Sequence, residues 1–203
     1  MNQITLNEQL ITPSKIVCIG RNYVEHIKEL ANEMPEQMVV FNKPNSAISK
    51  ELHAFQEEPL HYEAEICFVH QQGKLTGIGL GLDLTKRALQ SALKAKRLPW
   101  ERAKAFDGSA IFSEFIPFDG QFEGLSLKCF VNNELRQAGN VEQMLFQPSS
   151  MLSELATFMS LADGDILMTG TPKGVGQVNS GDIFDCQLYS HDTLLLSVQW
   201  HAK

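Results

Sequence analysis

Three acids stand where a divalent cation could be held. Glu63 and Glu65 lie two apart in Tyr62-Glu63-Ala64-Glu65-Ile66-Cys67-Phe68-Val69, a run that reads as a β-strand. Alternation puts both carboxylates on one face, roughly 6–7 Å apart along the strand. Tyr62, Ala64, Ile66 and Phe68 take the other, core-facing side. Like charges side by side on a strand face repel, so a bridging positive charge is expected, and a hard divalent cation with oxygen ligands meets that need. Asp83 ends a second apolar run, Ile78-Gly79-Leu80-Gly81-Leu82-Asp83, and completes a three-carboxylate set suited to Mg²⁺ or Mn²⁺. The plain alternative is a solvated strand face for the pair and a helix-start residue for Asp83.

Three further groups carry possible chemistry. Arg21-Asn22-Tyr23 follows a short strand, with His26 and Glu29 just beyond on a short helix. Their i, i+3 spacing puts both on one face. A carboxylate that fixes the tautomer of a histidine makes a general base, although an exposed helical ion pair reads equally well. Arg87 and Gln90 share the same spacing, and Lys104 follows the Pro99-Trp100 turn. If they converge they offer donors to a developing oxyanion; otherwise Lys86, Arg87, Lys94, Lys96 and Arg97 form an ordinary basic helix face. Gly170-Thr171-Pro172-Lys173-Gly174-Val175-Gly176 lacks the Walker order and does not open a helix. A glycine-rich loop after a strand can still bring backbone N–H groups to a small carboxylate. His53, His61, His70, His191 and His201 show no metal-ligand spacing, and only His61, two before Glu63, is near the acids.

The elements that must position these residues are mostly strands: Lys15 to Gly20, Met38 to Phe41, 62–69, a hairpin of Leu125 to Val131 with Glu134 to Gln137 turning at Asn132-Asn133, Asp165 to Thr169 and Leu194 to Val198. Helices are expected at Val24 to Ala31, at Thr85 to Lys96 with Thr85 as N-cap, and from Pro148 to about Leu161 with Met151, Leu152, Leu155, Phe158 and Met159 as an apolar stripe. The pattern is β-rich α+β. Residues 1–14 read as an N-terminal extension and 15–203 as a single domain.

The chain has 203 residues, is 43% hydrophobic and carries a formal charge of −7. It can bury a core, and the acidic balance without a Lys/Arg run argues against nucleic acid as a partner. No stretch approaches the ~20 apolar residues of a membrane helix, and the N-terminal residues do not read as a signal peptide. Cys18, Cys67, Cys129 and Cys186 form no C-x-x-C pair and read as small buried residues in a reducing compartment. A cytoplasmic protein without membrane partners is expected.

Taken in order, the motifs resemble the fumarylacetoacetate hydrolase family, in its short single-domain branch of acylpyruvases and oxaloacetate decarboxylases or tautomerases. The matching segments are Ile19-Gly20-Arg21-Asn22-Tyr23 with His26 and Glu29; Phe41-Asn42-Lys43-Pro44; Glu63-Ala64-Glu65; Leu82-Asp83-Leu84-Thr85 with Arg87 and Gln90; Leu98-Pro99-Trp100 with Lys104-Ala105-Phe106-Asp107; and Thr169 to Gly176. The chain departs from the pattern at Ala88, where an acid is common, at Ser109-Ala110-Ile111, where Ser-Cys-Pro is common, and between Val69 and Leu82, where relatives often carry an extra helix.

The resemblance implies a mixed β-roll with short peripheral helices, assembled as a homodimer. It implies Mg²⁺ or Mn²⁺ on Glu63, Glu65 and Asp83, and a catalytic dyad of His26 and Glu29 on a lid segment. Lys104 is implied beside the substrate, Arg21, Arg87 and Gln90 as substrate-binding residues, and Thr171 on the substrate carboxylate. The expected substrate is a small 2-oxo acid. Hydrolysis of the carbon–carbon bond of an acylpyruvate is the first expectation. Oxaloacetate decarboxylation or enol–keto tautomerisation (or isomerisation of the 2-hydroxyhepta-2,4-diene-1,7-dioate type) at the same residues is the alternative. A non-catalytic metal–dicarboxylate binding protein and, on the glycine-rich loop alone, a nucleotide-binding module are the rivals.

Overall fold

The computed structural model describes all 203 residues. Its largest sheet has eight strands. Seven run in the order Val39–Pro44, Lys15–Gly20, Ile166–Met168, Ala64–Gln71, Lys74–Asp83, Ala110–Phe112 and Ile48–Ser49, and Ile116–Pro117 pairs with the outer half of Lys74–Asp83. Lys15–Gly20 lies parallel to Ile166–Met168, while Ala64–Gln71 is antiparallel to both Ile166–Met168 and Lys74–Asp83, so the sheet is mixed. A four-stranded antiparallel sheet, Glu134–Asn140, Leu125–Val131, Ile183–Ser190 and Thr193–His201, packs against one face. Ile66, Phe68, Leu80 and Leu82 from the large sheet meet Leu127, Cys129, Phe184 and Leu188 from the small one in a single core.

The other face is covered as well. Ile16, Cys18, Cys67, Val69 and Met168 pack with Phe115 and with Ile4 and Leu6 of the N-terminal hairpin, Ile4–Leu6 with Gln9–Ile11. Strands buried on both faces read as near-continuous apolar runs, which is why Lys15–Gly20 was visible at its true bounds. The second layer comes close: a Cβ on Gly81 would meet Phe112 at 2.8 Å and the Cys67 sulfur at 2.9 Å, so only glycine lets the aromatic side chain lie on the strand there.

Several boundaries differ from expectation. The 62–69 run is two strands, Glu58–Tyr62 and Ala64–Gln71, with Glu63 at the corner between them. Glu58–Tyr62 belongs to a small separate sheet with Thr85–Lys86 and Gly176–Gln177, so the chain changes sheets at Glu63 and strict alternation stops. Val39–Pro44 runs through Lys43 and Pro44 rather than stopping before them. Lys74–Asp83 is a continuous ten-residue strand, joined to its neighbour by the turn Gln72-Gly73, both at positive φ. Such a turn suits a two-residue hairpin.

Four short helices sit at the periphery: α1 (Val24–Glu29), α2 (Arg87–Ala95), α3 (Glu101–Lys104) and α4 (Pro148–Leu155). Thr85 is not the N-cap of α2; it is a strand residue and Lys86 holds that position. α4 stops at Leu155, and Phe158, expected on its apolar stripe, is exposed. No helix is long and apolar enough to cross a membrane, and all four cysteines are buried free thiols.

Candidate metal centre and active site

Register brings the chemical residues to one end of the large sheet. Met168 pairs with Cys18 on one side and Cys67 on the other. The segments following Gly20 and Met168 therefore emerge together, beside the start of Ala64–Gln71. Ala64 pairs with Leu82, and the Asp83 amide donates to the Glu63 carbonyl at 2.8 Å, which sets Asp83 against Glu63. Arg21, Glu63, Glu65, Asp83, Gly170 and Thr171 thus converge from four chain segments. α1, α2 and α3 close around them and add His26, Arg87, Gln90 and Lys104. The resulting pocket is small and closely filled by these side chains, with a cavity volume of about 40 Å³.

The floor is acidic and fully buried. Glu63, Glu65 and Asp83 each present a carboxylate oxygen within 4.8 Å of the others. Lys104 Nζ donates to Glu63 Oε2 at 2.8 Å, Asp83 Oδ2 at 2.7 Å and Thr85 Oγ1 at 2.6 Å, so its three protons are committed. Lys43, with no exposed surface, places Nζ 2.8 Å from Asp83 Oδ1 without the angle of a hydrogen bond and donates instead to the Lys104 carbonyl. Arg87 donates to Glu63 Oε1 and, at 2.8 Å, to Gln90 Oε1.

The charges are unevenly met. Burial pushes the Glu63 carboxyl up, but Lys104, Arg87 and His26 outweigh it and hold the group well below the usual carboxylate range. Burial likewise favours neutral Lys104, and Asp83 and Glu63 reverse that, raising its pKa. Glu65 has no such relief. Burial and then the Asp83 and Glu63 charges push its carboxyl well up, and its one hydrogen bond is from the Gly170 amide at 2.8 Å. Glu65, a buried acid crowded by two others and touched by no cation, beside an Asp83 Oδ1 that accepts no hydrogen bond, leaves carboxylate oxygens open to a positive ion. An all-oxygen donor set of this kind fits Mg²⁺ or Mn²⁺.

The dyad forms at the side of the pocket. His26 is buried and faces Glu29 Oε2 through Nδ1 at 3.0 Å, while Glu29 Oε1 accepts the Gly174 amide at 2.9 Å. The glycine-rich loop therefore does bring backbone N–H groups to carboxylates, but to those of Glu65 and Glu29. Thr171 lines the pocket, yet its hydroxyl donates inward to the Ala64 carbonyl at 2.8 Å and accepts from Gln137 Nε2 at 2.7 Å. His61 lies outside the pocket, on Glu58–Tyr62.

With this geometry in view, residues 15–195 match the profile of the fumarylacetoacetate (FAA) hydrolase C-terminal family. The chain belongs to that family. It is 37% identical over 187 residues to an oxaloacetate tautomerase of Escherichia coli, covering 83% of this chain and 85% of that one. It is 36% identical over 206 residues to a mitochondrial oxaloacetate decarboxylase of Dictyostelium discoideum, covering 93% and 94%. Its fold superposes on fumarylpyruvate hydrolase from Pseudomonas aeruginosa, solved with Mn²⁺ and pyruvate, at a TM-score of 0.89 and 27% identity over 99% and 95% of the two chains. The family relatives are enzymes, and this chain, with its acids and dyad intact, is an enzyme of the same family.

Sequence reasoning assigned no role to Lys43, Asn32, Lys94, Phe41 and Trp100, all in or against the pocket. For Lys94 a signal existed: Arg87, Gln90 and Lys94 stand at i, i+3 and i+7 on one helix face.

Proposed function

We propose that this protein is a metal-dependent oxaloacetate tautomerase, moving a proton between the enol oxygen and C3 of a small 2-oxo diacid. The relatives favour this alternative over carbon–carbon hydrolysis of an acylpyruvate, the first expectation. The observation that carries it is the His26–Glu29 pair beside the three-acid floor in one small pocket. Proton transfer needs a positioned base and a means of holding negative charge on the enolate, and no water seat.

Glu63, Glu65 and Asp83 would hold the divalent cation, which when bound supplies Lewis acidity to the 2-oxo acid. Glu29 accepts the Nδ1 proton of His26, so the ring presents Nε2, which has no protein partner, as the proton carrier at C3. Lys104 and Lys43 hold the Asp83 end of the floor, and Arg87 with Gln90 holds Glu63. The NH₂ group of Gln90 has no protein partner, and the residue lines the pocket. Burial of His26 limits access of competing water to the proton carrier.

The test follows the ultraviolet absorbance of enol-oxaloacetate with purified protein, Mg²⁺ or Mn²⁺, and then excess chelator. Metal-dependent acceleration without carbon dioxide release supports tautomerisation. Carbon dioxide release matching enol loss would favour the decarboxylase reading, for which the Dictyostelium relative speaks. Cleavage of acetylpyruvate to acetate and pyruvate, with oxaloacetate untouched, would return the reading to hydrolysis. The homodimer belongs to the same proposal, and light scattering tests it.

A further inference from the structure

At the mouth of the pocket two cations have no acid. Lys94 stands on α2 two turns beyond Arg87, about 10.5 Å along the helix axis. Its Nζ donates to Asn32 Oδ1 and has no carboxylate within 4 Å. Across from it the Arg21 guanidinium lies over the Trp100 ring, 5.8 Å from its centroid, with neither a hydrogen bond nor an ion pair. Other cations of the chain also lack an acid, but of the four that line this pocket, Arg87 and Lys104 are paired with acids and Arg21 and Lys94 are not. Arg21, Asn32 and Lys94 line the same pocket as the acids and His26.

Two further facts bear on these residues. Arg21 has a φ of +54° at the end of a central strand, a conformation costly for a side chain of this kind and concentrated at functional sites. Its side chain lines the pocket with the guanidinium over Trp100. Lys94 is half-buried; burial, then the Arg21 and Arg87 charges, pull its pKa down. Two like charges held together at a half-buried rim cost free energy unless an anion sits between them.

We infer that Lys94, with Arg21 and Asn32, forms a seat for the second carboxylate of the substrate. The pocket is then bipolar. The acidic floor with its cation takes the 2-oxo acid end, and the basic mouth takes the far end. The site selects 2-oxo diacids over 2-oxo monoacids whose far end is apolar. The inference rests on the floor being the 2-oxo acid site, and it adds what reads the other end.

Malate and lactate test it, being stable 2-hydroxy acids that differ in the second carboxylate. Their binding to the Mn²⁺-loaded protein is measured by calorimetry for wild type, Lys94→Met and Lys94→Arg, with oxaloacetate turnover measured on the same samples. Wild type should prefer malate by about tenfold or more, the weight of one charge-assisted contact. Lys94→Met should lose most of that preference by weakening malate alone, and should raise KM for oxaloacetate more than it lowers kcat. Lys94→Arg should restore most of it. Equal weakening of both acids, or no change in either, overturns the seat. If the preference collapses in Lys94→Met but no preparation turns over oxaloacetate, the seat stands and the proposed reaction falls. If wild type turns over oxaloacetate and the preference is unchanged in Lys94→Met, the reaction stands and the seat falls.

Discussion

His26 can carry a proton from Nε2 only while Glu29 holds the Nδ1 proton, at 3.0 Å. Glu29→Gln keeps the side-chain shape and removes the charge that steadies the imidazolium. Stopped-flow decay of enol-oxaloacetate should slow by about 100-fold or more, while Mn²⁺ affinity stays near wild type; a matching loss of Mn²⁺ binding would show instead that the pocket had collapsed. Glu65 gives the opposite signature. It is the floor acid that no cation of the chain touches. Without metal, Glu65→Gln should melt higher than wild type, since it removes an acid whose ionisation burial, Asp83 and Glu63 all oppose. With saturating Mn²⁺ the order should reverse, because the variant binds the ion at least about 100-fold more weakly, beyond what loss of a merely supporting partner costs. Melting curves with and without Mn²⁺ check both halves. Among residues, acids and a His–Glu pair are legible in the sequence because their types and spacings have few uses. Lys43 and Lys94 were not, for different reasons. A lysine before a proline reads as a strand stop, and only the sheet register buries it against Asp83. A lysine among Lys86, Arg87, Lys96 and Arg97 reads as a solvated face until the fold sets one side of α2 against the pocket.

At the scale of elements, the segment before Ile166–Met168 is held by Asp165. Its buried carboxylate accepts from the Ser14 amide and hydroxyl at 3.0 and 2.6 Å, the Lys15 amide at 3.1 Å, Lys15 Nζ at 2.5 Å and the Ala162 amide at 2.8 Å. One side chain thereby fixes the start of two parallel strands, Lys15–Gly20 and Ile166–Met168, whose far ends carry Arg21 and the glycine-rich loop. Asp165→Ala leaves several buried donors unmet and should cost about 2–4 kcal/mol in urea unfolding. Enol turnover at 25 °C should fall much less, since the residue lies at the opposite end of the sheet. The sequence showed these strands because burial on both faces leaves an unbroken apolar run. It hid the corner at Glu63, because local pattern carries no record of which sheet a residue pairs with. It misassigned Thr85 for the same reason: a threonine before a helix reads as a cap, whereas here its hydroxyl accepts from Lys104.

For the molecule as a whole, acid and metal should act on stability in calculable directions. Burial tends to raise the Asp165 carboxyl, but Lys15, Ser14 and the Ala162 and Lys15 amides hold it below its ordinary value. Burial tends to raise Asp182 too, and the Asn179 amide with Asn132 hold it down. In this window the unfolded chain binds more protons than the folded one, so stability rises with pH. The contribution is complete above the ordinary aspartate value of about 4 and is lost as pH falls through the lower folded values. Urea midpoints between pH 6 and pH 2.5 should drop accordingly, and Asp165→Asn should flatten the drop; a wild-type midpoint that does not move would refute the assignment. Mn²⁺ at 100 times its dissociation constant should raise the melting temperature by roughly 5–10 °C. One amide also records the state of the whole entrance. Gly174 has a φ of +100° and its amide ends on Glu29, the carboxylate that orients His26. Were α1 to move away, that N–H would lose its acceptor, so its hydrogen–deuterium exchange would report opening of the pocket without any substrate present. A ligand that seals the pocket should slow that single exchange rate while leaving the sheet amides unchanged.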